Sequence, residues 1–287
     1  MFNNVLIKTI CFILVSVTLM SCNRKTTKQY FRETGELLSE IEYNKKGQID
    51  GELREYFPSG ELKTIEYYKN GKIIDTTYGF DKSGNVSVKR YNVGNKSVFE
   101  RYYDNGTLLS KGIMRDTFAE GWWDYYDKDG NIFRKVEFLN LNEGSSIINR
   151  QYPNQIIFYD KKGNIIRDSS NYFKIDLKDT LKINKLSIGH IELIPQTSKK
   201  SDFFMVYFWS QSENGKEVAL DSTYGKNRVK AEFWLLPKIT GKHWLKGYIL
   251  EKGYINEVNE ENPSFTDVIE RTKKLYFEKE YFVKDTI

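Results

Sequence analysis

A glycine turn that returns about every two dozen residues constrains this chain more than any other feature. An aromatic residue or pair leads into it each time. Tyr30-Phe31 precedes Gly35-Glu36-Leu37, Tyr56-Phe57 precedes Gly60-Glu61-Leu62, and Phe80 precedes Gly84-Asn85-Val86. Tyr102-Tyr103 then precedes Gly106-Thr107-Leu108, Tyr125-Tyr126 precedes Gly130-Asn131-Ile132, and Phe158-Tyr159 precedes Gly163-Asn164-Ile165. These glycines stand 25, 24, 22, 24 and 33 residues apart, so the last interval carries an insertion. Self-similarity at this period marks a repeat architecture, in which one unit cannot be stable alone and rests on its neighbours.

Further turns at Lys46-Gly47 and Asn70-Gly71 divide the period, making the unit a hairpin plus a connecting turn. The segments between turns, such as Lys63-Thr64-Ile65-Glu66-Tyr67 and Arg134-Lys135-Val136-Glu137-Phe138, alternate apolar with charged residues. That is the pattern of a strand with one wet face. The pattern predicts an all-β fold: an elongated antiparallel meander over residues 30–168, held by ring stacking between successive hairpins.

The repeating Tyr-[Tyr/Phe]-x-x-x-Gly-x-[Leu/Ile] pattern resembles the MORN-repeat variant found in bacterial proteins often labelled antitoxin components. The resemblance covers about residues 28–168. Gly121-Trp122-Trp123-Asp124-Tyr125-Tyr126 is the nearest to the motif, with its Gly-x-Trp opening, whereas Gly51-Glu52-Leu53 keeps only the glycine. Lys135 to Asn154 departs from the period. Phe158 to Ile165 also resembles the Tyr-Asp repeats of large secreted shells, arrays that need many more copies to enclose a cavity. The MORN resemblance implies the repeat-sheet architecture and not an antitoxin role; no cofactor is expected.

At the other extreme of regularity, Val5 to Met20 form an apolar run broken at Lys8, of which Thr9 to Met20 is uninterrupted. A spanning helix needs roughly 20 such residues, so residues 1–21 read as a signal peptide. The following Leu19-Met20-Ser21-Cys22 resembles the lipobox of bacterial lipoproteins. That resemblance implies acylation of Cys22, cleavage before it, and a membrane anchor without a spanning helix. Beyond Cys22 the chain has no further cysteine, the other being Cys11 in the leader. Residues 22–29 then serve as a polar, basic tether. By resemblance the expected location is the bacterial cell envelope, on the periplasmic face of the outer membrane.

After Ser170 the glycine period stops. Phe173/Ile175/Leu177, Ile191/Leu193 and Val229/Ala231/Phe233/Leu235 alternate with polar residues as half-buried strands do. Phe203 to Trp209 is apolar on both faces and reads as a central strand. Leu275 to Val283 reads as a closing strand, and Ser264 to Ile269 fits a short capped helix or a loop after Pro263. Six to eight strands over residues 171–287 predict a β-sandwich-like domain.

Chemistry is sparse. No nucleophile elbow, phosphate loop, zinc-protease or dinucleotide fingerprint occurs, and the chain has only two histidines. His190 and His243 therefore read as structural. Asp127-Lys128-Asp129-Gly130-Asn131 has half of a calcium loop, but Tyr125 and Val136 stand where ligands belong; it reads as a self-capped turn. Glu66 and Glu137 repeat with the scaffold, unlike a catalytic pair. With 44 Lys+Arg against 39 Asp+Glu, well mixed, nucleic acid is not an expected partner. Trp122, Trp123, Tyr125 and Tyr126 are the preferred contact site, since adjacent tryptophans on a strand face opposite ways. The expected function is a non-catalytic, lipid-anchored binding scaffold with a protein or cell-wall partner. The alternatives are an envelope hydrolase using carboxylates of the C-terminal domain, or a carrier of a hydrophobic molecule.

Overall fold

The computed structural model describes residues 24–142, 149–194, 201–215, 217–226, 230–258 and 266–285. The leader and Cys22 lie outside them. The chain divides into two compact units, Met1–Leu108 and Leu109–Ile287.

In the first unit, eight strands follow one another as an antiparallel meander: β1 (Lys25–Tyr30), β2 (Leu37–Tyr43), β3 (Ile49–Tyr56), β4 (Leu62–Lys69), β5 (Lys72–Ile73), β6 (Thr77–Phe80), β7 (Val86–Val93) and β8 (Lys96–Tyr102). β5 pairs only with β4, and β6 takes the next place in the sheet. The predicted all-β meander is what the chain forms.

Five of the six repeated turns share one geometry, the turn at Gly35 being one residue longer. Asp81 N–H bonds the Asn85 carbonyl at 2.9 Å and Gly84 N–H bonds the Asp81 carbonyl at 3.0 Å. Gly84 takes φ +85°, a conformation that costs an L-residue sterically. Phe57 to Glu61, Tyr103 to Thr107, Asp127 to Asn131 and Asp160 to Asn164 close in the same way. Each is a type I turn with a left-handed glycine, a common form of three-residue hairpin. Just past it the ladder slips by one residue: Tyr56 faces Leu62 while Glu55 faces Thr64, leaving Lys63 extra. Leu38, Ser87 and Phe133 are the extra residues at the same offset from their glycines. A repeated sequence thus yields a repeated bulge, which adds twist to the strand pair.

The tyrosines of this unit are tied through their hydroxyls. Tyr56 donates to Glu40 (2.8 Å), Tyr68 to Glu66 (2.7 Å), and both Tyr91 (2.9 Å) and Tyr102 (2.5 Å) to the buried Glu100. Where ring stacking is expected to join the hairpins, carboxylates set at strand spacing hold these tyrosines by their hydroxyls. A thin sheet has little apolar volume in which to bury a ring, but its polar faces always carry an acceptor. Asp50 is buried on the same principle, accepting from Arg24 at 3.1 Å and from Asn70 N–H at 3.2 Å. That backbone bond, with Lys69 and Arg24 nearby, holds its carboxyl below the usual range.

The second unit opens with four more meander strands, β9 (Leu108–Arg115), β10 (Phe118–Tyr126), β11 (Ile132–Asn142) and β12 (Asn149–Phe158). A short 3-10 turn at Arg167–Ser169 follows. Then come β13 (Tyr172–Asp176), β14 (Thr180–Lys182), β15 (Ser187–Ile194), β16 (Ser201–Ser212), β17 (Glu217–Lys226), β18 (Lys230–Leu235), β19 (Gly241–Val258) and β20 (Thr266–Lys284). They form an eight-stranded sheet in the order β13-β15-β18-β17-β16-β19-β20-β14, with β14 parallel to β20.

Among the described residues, only Gly225↔Ala231 and Lys226↔Lys230 join β17 to β18. There the sheet turns back on itself, so Phe208 of β16 meets Phe233 of β18 at 5.3 Å, and Phe173 of β13 meets Phe277 of β20 at 6.0 Å. One continuous core results, containing Ile191, Leu193, Phe204, Leu245 and Ile249 with no measurable exposure. Each such side chain contributes about 1.5–3 kcal/mol by leaving water. This is the sandwich-like arrangement expected from the alternating strands.

Two expectations change here. β16 buries Phe204, Val206 and Phe208 on one face only; Tyr207 on the other face stacks on Tyr248 at 4.9 Å. Outward aromatics paired across strands look, in sequence, like a strand buried on both sides. Thr266 to Ile269 are strand, not helix, because β19 and β20 pair without a break from Gly241↔Val283 to Val258↔Thr266. Ser264 itself lies outside the described residues.

Candidate binding cleft beside the tryptophan pair

β10 carries a wide bulge: Glu120 faces Ile113 and Asp124 faces Lys111, so Gly121, Trp122 and Trp123 together oppose Gly112. Gly121 makes the bulge possible with φ +67°. The Trp123 ring lies flat over Gly112, where an added Cβ would come within 2.3 Å of its carbons. Its indole N–H donates to the Ile113 carbonyl at 3.0 Å, and its ring meets Phe138 edge-on at 6.3 Å. Trp123 is 5% exposed, whereas Trp122 is 42% exposed.

The four sequence-predicted contact residues are thus divided. Trp123 belongs to the packing of the sheet and Trp122 to its surface, because neighbouring strand residues point to opposite faces. Tyr125 lies half-buried beneath the Arg134 guanidinium at 4.3 Å, and Tyr126 is half-buried where β10 meets Ile132. β3 also carries a three-to-one bulge, where Asp50-Gly51-Glu52 oppose Glu42 with the glycine second rather than first.

Beside this bulge is a cleft of about 780 Å³, with Phe118, Phe138, Leu139 and Leu141 supplying apolar wall. On its rim Arg115 donates twice to Glu120, at 2.7 and 2.9 Å. This fork raises the Arg115 guanidinium above its ordinary range and leaves Glu120 engaged as an acceptor. A cleft with apolar walls and a fixed charged rim suits recognition. The two acids of the lining are Glu120, held by Arg115, and Asp116. The cleft was not legible in the sequence, since it needs β9, β10 and β11 side by side.

Also missed was a buried polar seam between β12 and the eight-stranded sheet. Asn154 is the extra residue of a bulge in β12, where Glu137 faces Gln155 and Phe138 faces Pro153. Its amide accepts from Tyr276 N–H at 2.7 Å and donates to the Tyr276 carbonyl at 2.8 Å, satisfying an edge of β20 as a strand would. Glu137 accepts from Asn154 and Gln155 at 2.6 and 2.8 Å. Asn171 donates to the fully buried Glu251 at 3.1 Å, and Glu251 sits opposite Lys273 in the ladder. Burial pushes the Lys273 ammonium down to about 8 against the pull of Glu251. The only signal in the sequence was the break in the repeat period between Lys135 and Asn154.

The remaining candidates have structural surroundings. His190 lies 3.5 Å from Glu232 and 3.9 Å from Asp176. His243 is fully buried, bonded to the Ile239 carbonyl at 2.9 Å and stacked on Tyr281 at 5.3 Å. Asp127 accepts from Asp129 N–H at 3.0 Å and Asn131 N–H at 2.8 Å, the self-capped turn its sequence suggested. Among the described residues no group of three or more His, Cys, Asp or Glu is placed to hold a metal.

Residues 49–70 match the MORN repeat variant. The matched stretch is one hairpin, β3 to β4, from the wide bulge at Gly51 through the turn at Gly60. The comparison with curated proteins found no match.

Proposed function

We propose that this protein is a non-catalytic binding scaffold of the bacterial cell envelope, anchored through an acylated Cys22. In this reading it presents the cleft beside Trp122 to a protein or cell-wall partner at the periplasmic face of the outer membrane. MORN repeats are in general protein- or membrane-interaction repeats, and one lies at residues 49–70. The observation that carries the reading is the apolar-walled cleft beside the β10 bulge, with Trp122 exposed on that same bulge. Apolar-walled clefts and exposed tryptophans are both typical of recognition surfaces. The alternative, hydrolysis by C-terminal carboxylates, gains no support from Glu251, which is shut from solvent.

A photo-crosslinking residue replacing Trp122 in the intact protein is the direct test, with one replacing Lys89 as control. Discrete adducts from position 122 in whole envelopes, absent from position 89, support the scaffold. Their absence from both positions overturns the choice of surface. Fractionation of Cys22→Ala separately tests the anchor: release from the membrane is expected, and retention in the pellet removes it.

A further inference from the structure

One end of the eight-stranded sheet combines features that the cleft beside Trp122 does not explain. Leu177 and Leu181 point into the core there, while the segment from Lys178 to Ile188 wraps the sheet end. It is pinned at several points: β14 pairs with the last residues of β20, Ile183 N–H bonds the Lys284 carbonyl at 3.0 Å, and Asn184 N–H bonds the Pro237 carbonyl at 2.9 Å. The result is a pre-formed pocket of about 480 Å³. Lys178, Lys182, Lys185 and Lys284 line it, and no acidic residue does.

Among the described residues none of these four lysines has an ion-pair partner. Of the neighbouring acids, Asp179 pairs with Lys279 and Glu280 with Lys242, each at 2.8 Å, while Asp285 adjoins Lys284 in the chain and does not line the pocket. Four unpaired ammonium groups around one pocket repel one another unless an anion lies between them.

The apolar component is equally exposed. Ile188 (53%) and Trp234 (49%) face each other across β15 and β18, on the outer side of the sheet. Leu186 and Leu236 lie one residue beyond the adjoining Ser187↔Leu235 pair and are also exposed. Leu186 and Ile188 are themselves walls of the lysine pocket. An apolar patch of this kind, contiguous with unpaired cations, marks an interaction surface.

We propose that this end of the sheet seats on an anionic phospholipid surface. The lysines hold the headgroup phosphate, and Leu186, Ile188, Trp234 and Leu236 enter the interfacial layer. Cations with exposed aliphatic side chains and a tryptophan are the combination such a surface selects, since the ring is stable at headgroup depth and lysine heads reach the phosphates. A soluble anion would have no use for the apolar patch. The inference stands apart from the Trp122 cleft and does not depend on it.

The test uses the full chain carrying Cys22→Ser, so that no acyl chain contributes to either arm. Partition is measured onto vesicles of phosphatidylcholine alone and with about one third phosphatidylglycerol, at low and physiological salt. Tighter binding to the anionic vesicles, weakened by salt, is expected. Each lysine near such a surface is worth about fivefold, so Lys182→Gln/Lys185→Gln should lose about 25-fold on anionic vesicles and little on neutral ones. Lys178→Gln/Lys284→Gln gives a second pair should the first fold poorly, with thermal midpoints checked for both. Brominated phosphatidylglycerol should quench the parent more than Trp234→Phe. Equal partition onto both vesicles, or indifference to the lysine pairs, overturns the proposal. So does displacement by glycerophosphate without lipid quenching, which would make the pocket a soluble-anion site.

Discussion

The meander of the first unit and the folded sheet of the second solve the same problem, the stability of antiparallel strands, by different means. In the meander most side chains are half-buried on both faces, and the fully buried ones include Ser39, Asp50 and Glu100 as well as Ile41 and Val98. Its order comes from chain neighbours: repeated turns, repeated bulges, and tyrosine hydroxyls on carboxylates of the same or adjacent strands. In the folded sheet a continuous apolar core is assembled from strands as far apart in sequence as β13 and β20. A repeat sheet spreads its stability evenly, whereas a sandwich concentrates it in a core.

The sharpest way to break this contrast is to cut a hole in each. Phe208→Ala in the folded sheet should cost about 3–5 kcal/mol, the usual figure for a large aromatic in a close-packed core. Val98→Ala in the meander should cost about 1 kcal/mol, because it removes less volume from a site that water already borders. Equal losses in thermal or denaturant unfolding would erase the distinction.

The two regions should also respond to alkali with opposite signs. Lys273 titrates near 8 when folded and near 10.5 when unfolded. Over that window the unfolded chain binds more protons, so this group makes the second unit more stable as pH rises. Tyr68 does the reverse: burial and Glu66 push its hydroxyl up to about 12. Its contribution is complete below pH 10 and is lost as pH rises towards 12. Lys273→Gln should flatten the first slope and Tyr68→Phe the second, as read by unfolding midpoints followed separately in each unit.

A smaller effect sharpens the claim that turns govern the meander. Asp81→Ala and Asp127→Ala each remove a carboxylate that caps two turn N–H groups, and each should lower the unfolding midpoint slightly. Both carboxyls lie below their ordinary range, chiefly through the Asn85 and Asn131 backbone bonds. This contribution is present above pH 4 and is lost as pH falls through the lower folded value. Smallest of all, Trp122→Ala should change stability by less than about 0.5 kcal/mol, as exposed positions do. A larger loss would make Trp122 part of the sheet's packing rather than its surface.

Local signals were legible where one residue type decides one conformation. Gly60, Gly84 and Gly130 announced hairpins, and the hairpins are there. Asp127 announced a capped turn, and Trp122-Trp123 announced one exposed and one packed ring. Asn154 was illegible because its amide finds Tyr276, a partner 122 residues away. The strand at Thr266 is hidden for the same reason: Ser264 suggests a helix cap and Pro263 a loop, and the pairing with β19 outweighs both local preferences.

The sequence alone determined the period, the turns, the bulges and the alternation of wet and dry faces, because each depends on residues within one hairpin of each other. Tertiary structure decided where the sheet folds over, which carboxylates vanish into it, and which lysines and aromatics meet at its end. Those outcomes depend on contacts between strands far apart in the chain, and strand pairing at a distance is written in no single window of residues.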